Sequence, residues 1–217
     1  MRSVYMAELE ELNKKMISMG MLCETSVAKA AQALVGLDRE LAVQVIAKRE
    51  EINREEREIE DFCLRLLLTQ QPVAKDLRMI SSALKMVTDM ERIGDQSTDI
   101  ADVVRVSSLK KVPEGLDFRE MADAVIHMVT KSIDAFVNQD AVVADDVISY
   151  DDVVDGYFNS IKGKLVDLLK NDKSDAADML DLLMIAKYFE RTGDHAVNIA
   201  NWVIFSVTGE NRGVQEK

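Results

Sequence analysis

The sequence predicts an all-α protein, built as two tandem three-helix bundles of which the second repeats the first. Three observations predict it. The 217 residues include 9 glycines and 2 prolines, against usual shares of about 7% and 5%, so long elements run with few interruptions. Leu, Met, Ala, Glu and Lys, all strong helix formers, dominate and recur with amphipathic spacing. The third observation is an internal repeat about the middle of the chain.

Six helices are expected, over residues 3–35, 40–69, 73–106, 118–137, 141–170 and 175–207. The first opens on charged residues where a signal peptide needs an apolar run, and it stops at Gly36-Leu37-Asp38. In the second, the acid-dense run Glu50–Asp61 is interleaved with Arg49, Arg54 and Arg57 and reads mostly as a salt-bridged solvent face. Gln70-Gln71-Pro72 ends it, with the proline near the first turn of the third helix. Val112-Pro113-Glu114-Gly115 follows the third helix and is the one plausible linker. Asn138-Gln139-Asp140 and Asn171-Asp172-Lys173-Ser174 separate the last three helices. The expected organisation is a first repeat over 1–110, a second over 116–208, and a polar tail over 209–217.

Shifting the first half by 102 residues places Met19 on Met121, Asp38 on Asp140, Glu50 on Asp152 and Asn53 on Asp155. After the second interhelical loop the shift becomes 99, and Glu91-Arg92-Ile93-Gly94-Asp95 falls on Glu190-Arg191-Thr192-Gly193-Asp194. Two such copies, each in the third helix of its half and flanked by matching apolar phase, mark a genuine repeat.

Composition narrows the function. A net charge of −12 repels phosphate backbones, and no local basic patch offsets it, so nucleic-acid binding is not expected. No apolar stretch approaches the roughly 20 residues that span a bilayer, so no direct membrane insertion is expected. Cys23 and Cys63 lack metal or redox spacing and read as buried free thiols of a cytoplasmic protein. Phosphate-binding loops, Ser-nucleophile elbows and Cys/His nucleophile pairs are absent from the sequence.

The third helix carries two rows. Met79, Ala83, Met86, Met90, Ile93, Ser97, Ile100 and Val104 form a packing seam. Beside it run Val73, Leu77, Ile80, Leu84 and Val87, and this second row turns acidic as Glu91, Asp95, Asp99 and Asp102. Its counterpart is Glu190, Asp194, Asn198 and Asn201. Like charges at i,i+4 cost roughly 0.2–0.5 kcal/mol per pair, so a neutralising partner is expected. A merely solvated face explains one such helix; its repetition in both halves favours a cation site. Gly94 and Gly193, mid-helix, suggest close approach of a helix or ligand. Glu50, Asn53, Asp152 and Asp155 of the second helices are candidates to face the rows by helical phase. Oxygen donors without thiolate select hard cations such as Mg, Mn, Ca or ferric iron. A ferritin-like di-iron site needs Glu-x-x-His, which the rows lack.

Met19-Gly20, Cys63-Leu64-Arg65-Leu66-Leu67, Gln70-Gln71-Pro72-Val73-Ala74-Lys75-Asp76-Leu77-Arg78, and the paired Glu-Arg-x-Gly-Asp motifs, the second extended as His195-Ala196-Val197-Asn198-Ile199-Ala200, resemble the PhoU phosphate-transport regulators. The resemblance covers nearly the whole chain. It implies metal positions at Glu91, Asp95, Glu190 and Asp194, to which helical phase adds Asp99, Asn198, Glu50, Asp152 and Asp155. It also implies a non-enzymatic negative regulator of phosphate uptake and phosphate-starvation signalling. Such a regulator works as a homodimer and contacts the ATPase subunit of the phosphate-specific ABC transporter and a phosphate-sensing histidine kinase. Gln96 stands where the family has His, Asp99 where it has Asn, and Asn201 where an acid is common, so the halves are expected to bind metal differently. The rival readings are a multi-metal phosphohydrolase, weakened by the lack of an obvious general acid or substrate-gripping arginine beside the rows, and a helical scaffold without metal.

Overall fold

The computed structural model describes residues 2–70, 72–171 and 175–211. Met1, Gln71, residues 172–174 and residues 212–217 lie outside the described residues, and with them parts of two expected helix stops and most of the expected polar tail. The described residues form helices α1 (Arg2–Gly36), α2 (Arg39–Gln70), α3 (Ala74–Val106), α4 (Phe118–Asn138), α5 (Ala141–Lys170) and α6 (Ala176–Thr208). No helix end differs from its expected place by more than one residue.

Helices α1, α2 and α3 pack on one another, as do α4, α5 and α6. The two sets meet through α1 on α4 and α3 on α6, while α2 and α5 touch only their own set. The result is a central square of four helices flanked by one helix on each side. Buried residues of all six helices belong to one continuous apolar cluster.

The flanking helices show how the repeat is written into packing. On α2 the inward positions are Ala42, Val45, Ile52, Ile59, Cys63 and Leu66, all buried. Their steps of three and four close into an unbroken heptad stripe only if Arg49 and Glu56 are included. On α5 the corresponding stripe is Ala144, Val147, Asp151, Val154, Phe158, Ile161 and Leu165. Each α5 position follows its α2 counterpart by 102 residues. The glycines confirm the register: a Cβ on Gly94 would lie 2.7 Å from Ile52, and one on Gly193 would lie 3.4 Å from Val154. What approaches these glycines is therefore the neighbouring helix.

The expected seam of α3 is buried throughout. The second row is less uniform, since Val73 and Leu77 are exposed while Ile80 and Val87 are fully buried. The linker is pinned: Ser108 Oγ donates to Asp178 Oδ1 at 2.8 Å, and Lys164 Nζ donates to Gly115 O and Asp117 Oδ2 at 2.6 Å.

Candidate metal centre

In the first repeat, the acidic row lies in the groove where α2 packs on α3. Asp95 is buried and Glu91 nearly so, with 15% of its side chain exposed. Arg49 reaches across from α2 and sets its Nε 2.8 Å from Asp95 Oδ1. Arg92 adds Nη1 at 3.3 Å from Asp95 Oδ2 and Nε at 3.5 Å from Glu91 Oε2. Asp95 Oδ1 receives no aligned hydrogen bond, so Arg49 meets it as a charge contact. The neutralising partner that the row demands is thus present as arginine. Arg49 keeps half of its side chain in solvent, as a salt-bridged face expects, and its guanidinium is engaged with the row itself.

The remaining electrostatics follow from burial and crowding. Desolvation, then the Asp95 charge, raises the Glu91 pKa, against which Arg92, Arg49 and His195 act. Desolvation and Asp95 likewise raise Asp99, held back by Arg49 and by Arg191 of the second repeat. Glu56, on the inward stripe of α2, is raised by burial and by Glu60 and Glu91. These carboxyls favour their neutral form more than free ones do.

The second repeat is arranged otherwise. Glu190 is buried and pairs with Lys187 one turn earlier on α6 at 2.5 Å. Asp194 and Asp155 are partly buried. The place of Arg49 is held by Asp151, buried, with Oδ1 3.4 Å from where a Gly193 Cβ would stand. Glu50 and Asp152, chosen by phase as residues facing the rows, are both exposed. The residues facing the rows are their neighbours Arg49 and Asp151. Periodicity missed them because a charge in the middle of an apolar stripe looks like the end of the stripe.

The third helices of the two repeats also meet across the molecule. Asp89 Oδ1 of α3 lies 2.9 Å from His195 Nδ1 and accepts a hydrogen bond from Asn198 Nδ2 at 3.2 Å, both on α6. Asn198 is therefore engaged with the other repeat, and Asp89, absent from the sequence reading, joins the halves. The positions equivalent to Asp89, His195 and Asn198 are Tyr188, Gln96 and Asp99. There the charge of Asp99 raises Tyr188 after the larger effect of desolvation. His127 is exposed and tilts over Tyr150, with ring centroids 4.8 Å apart.

A hard cation fits the two repeats unequally. In the first, guanidinium groups already meet both Glu91 and Asp95, and the donors do not fit a metal. In the second, Asp151, Asp155, Glu190 and Asp194 are oxygen donors of the kind hard cations take, with Lys187 already at Glu190. Among the described residues, however, no three His, Cys, Asp or Glu side chains are drawn together as a preformed cage.

The PhoU domain model matches residues 16–104 and again 118–203. A Pseudomonas putida protein named phosphate-specific transport system accessory protein PhoU homolog is 38% identical over 94% of this chain and 80% of its own length. A Clostridium acetobutylicum protein of the same name is 34% identical over 96% of both chains. The crystal structure of PhoU from Pseudomonas aeruginosa superposes with a TM-score of 0.88 at 36% identity, over 95% of this chain and all of the other. That of the phosphate transport system regulatory protein PhoU from Streptococcus pneumoniae gives 0.89 at 28% identity, over 96% of this chain and 99% of the other.

Proposed function

Because the chain belongs to the PhoU family, we propose that it is a non-catalytic accessory of phosphate-specific transport that lowers phosphate uptake and starvation signalling from the cytoplasmic side. The observation that carries this reading is the double PhoU match, one over each repeat, together with full-length relatives named for the phosphate-specific transport system. The partners it implies are the transporter's ATPase subunit and the phosphate-sensing histidine kinase, engaged by a homodimer. An acidic protein, with a net charge of −12, favours basic patches on such partners. Within the described residues no helix is long and apolar enough to cross a membrane, so contact with the transporter would run through its peripheral subunit.

The metal part of the reading belongs to the second repeat, where Glu190, Asp194, Asp151 and Asp155 would hold the cation. Such an ion supplies positive charge on an acidic surface. The chain's own contribution there is to supply carboxylates from two packed helices, α5 and α6, which would have to close around it on binding.

The test is removal of the protein from its host. Phosphate uptake and starvation-gene expression should rise in replete medium, and the tagged protein should retain the ATPase subunit in a salt-sensitive manner. Normal phosphate control without the protein, or metal-dependent hydrolysis of phosphate esters lost on Glu190→Gln, would replace the adaptor with the enzyme reading.

A further inference from the structure

Each repeat serves as a reference for the other. Ile52 over Gly94 and Val154 over Gly193 show that α2 and α5 sit on their third helices in the same register. In that register Arg49 and Asp151 hold one and the same place, above the Gly-Asp of the Glu-Arg-x-Gly-Asp motif. A single position therefore carries opposite charge in the two halves. Arg92 likewise turns to Glu91 and Asp95 of its own repeat.

We propose that Arg49 is a tethered counter-ion that closes the first repeat to a bound cation, at the place where the second repeat has Asp151. Any cation capacity the chain has then lies in the second repeat. The closure of the first repeat stands on the observed ion pairs; only the clause on the second repeat rests on the function proposed above. The physical basis is twofold. A guanidinium keeps its charge at any physiological pH, so the closure is permanent. Its tether holds it beside Asp95 at an effective concentration that a free ion must exceed, and an entering metal would also repel the guanidinium it displaced.

The experiment silences the second repeat with Glu190→Gln and Asp194→Asn, then compares Arg49, Arg49→Gln and Arg49→Asp in that background. Mn2+ is the probe. Bound metal is measured after equilibrium dialysis, and melting is followed with and without chelator. With Arg49 present, the background protein should retain no Mn2+ and melt at one temperature in both conditions. Arg49→Asp should gain bound Mn2+ and an upward melting shift that grows with metal concentration. Arg49→Gln should melt lower than its parent in chelator, because Asp95 loses the nearer of its two counter-charges. Arg49 is half-exposed, so neither variant disturbs the core. Retention of Mn2+ by the Arg49 background in a form lost on Glu91→Gln would overturn the proposal. So would an Arg49→Asp protein that takes up none. If the chain with an intact second repeat binds no Mn2+ while Arg49→Asp does, the metal clause of the proposed function fails and the role of Arg49 stands.

Discussion

At the scale of single residues, the two motif glycines face different neighbours and should respond differently to the same change. Replacing a mid-helix glycine by alanine stabilises by about 1 kcal/mol where space allows. At Gly193 the new methyl would meet Asp151 and Val154 at 3.4 Å, ordinary contact, so Gly193→Ala should keep most of that gain. At Gly94 it would meet Ile52 Cδ1 at 2.7 Å and Cγ2 at 3.0 Å. Overpacking of this kind costs about 1–3 kcal/mol, leaving a net loss of order 1 kcal/mol for Gly94→Ala. Urea midpoints of the two variants, moving in opposite directions, check this. Glu91 offers a pH test. A carboxyl whose pKa is raised on folding binds its proton more tightly in the folded state. It supports the fold fully below its unfolded pKa near 4, and that support is lost as pH rises through the raised folded value. In chelator at pH 7, Glu91→Gln should therefore be more stable than the parent, and the difference should close as pH falls towards about 4. A gap that widens on acidification would show that Arg92 and Arg49 outweigh desolvation at this carboxyl.

At the scale of elements, the first turn of each repeat is the same device. Asp38 N–H bonds Ala33 O and Leu37 N–H bonds Leu34 O; 102 residues on, Asp140 bonds Ala135 and Gln139 bonds Phe136. This is the Schellman arrangement, with the left-handed residue being Leu37 at φ 48° and Gln139 at φ 53° instead of glycine. The same aspartates then cap the next helix. Asp140 Oδ1 accepts from Val142 and Val143 N–H, and Asp38 Oδ1 accepts from Leu41 N–H. Asp140→Ala should cost about 1 kcal/mol in urea unfolding and Asp140→Asn much less, because the side-chain amide oxygen still accepts. These stops were legible because Asp, Gly and Pro punctuate a chain otherwise made of helix formers. The phase of α2 was not, for the reason that also hid the site: Arg49 and Glu56 occupy stripe positions that pattern reading reserves for apolar residues. Only the α5 stripe, where Phe158 stands opposite Glu56, would have exposed the misreading.

At the scale of the whole molecule, two repeats need not mean two independently folding units, and the packing decides the matter. α1 lies so close to α4 that a Cβ on Gly20 would stand 3.1 Å from Ile133. Arg78 Nε of α3 donates to Ser206 O of α6 at 3.4 Å, and Asp89 joins His195 further along the same antiparallel contact. The buried side chains form one cluster across both repeats. Separating the halves would expose the apolar faces of α1, α3, α4 and α6 together, so neither half can loosen without uncovering the other. The repeats should accordingly unfold as one. The chain contains a single tryptophan, Trp202, which lies in α6 and packs edge-on to Phe205 with centroids 6.0 Å apart. Its fluorescence reports the surroundings of α6 in the second repeat. Gly94→Ala strains only the α2–α3 contact of the first repeat, far along the fold from Trp202. If the core is shared, that substitution lowers the Trp202 melting midpoint by as much as the midpoint seen by far-ultraviolet circular dichroism, about 2–4 °C per kcal/mol lost for a chain of this size. A tryptophan midpoint that stays in place while the helical signal melts in two steps would show two autonomous bundles, and the contact between α3 and α6 would then be a docking of finished units.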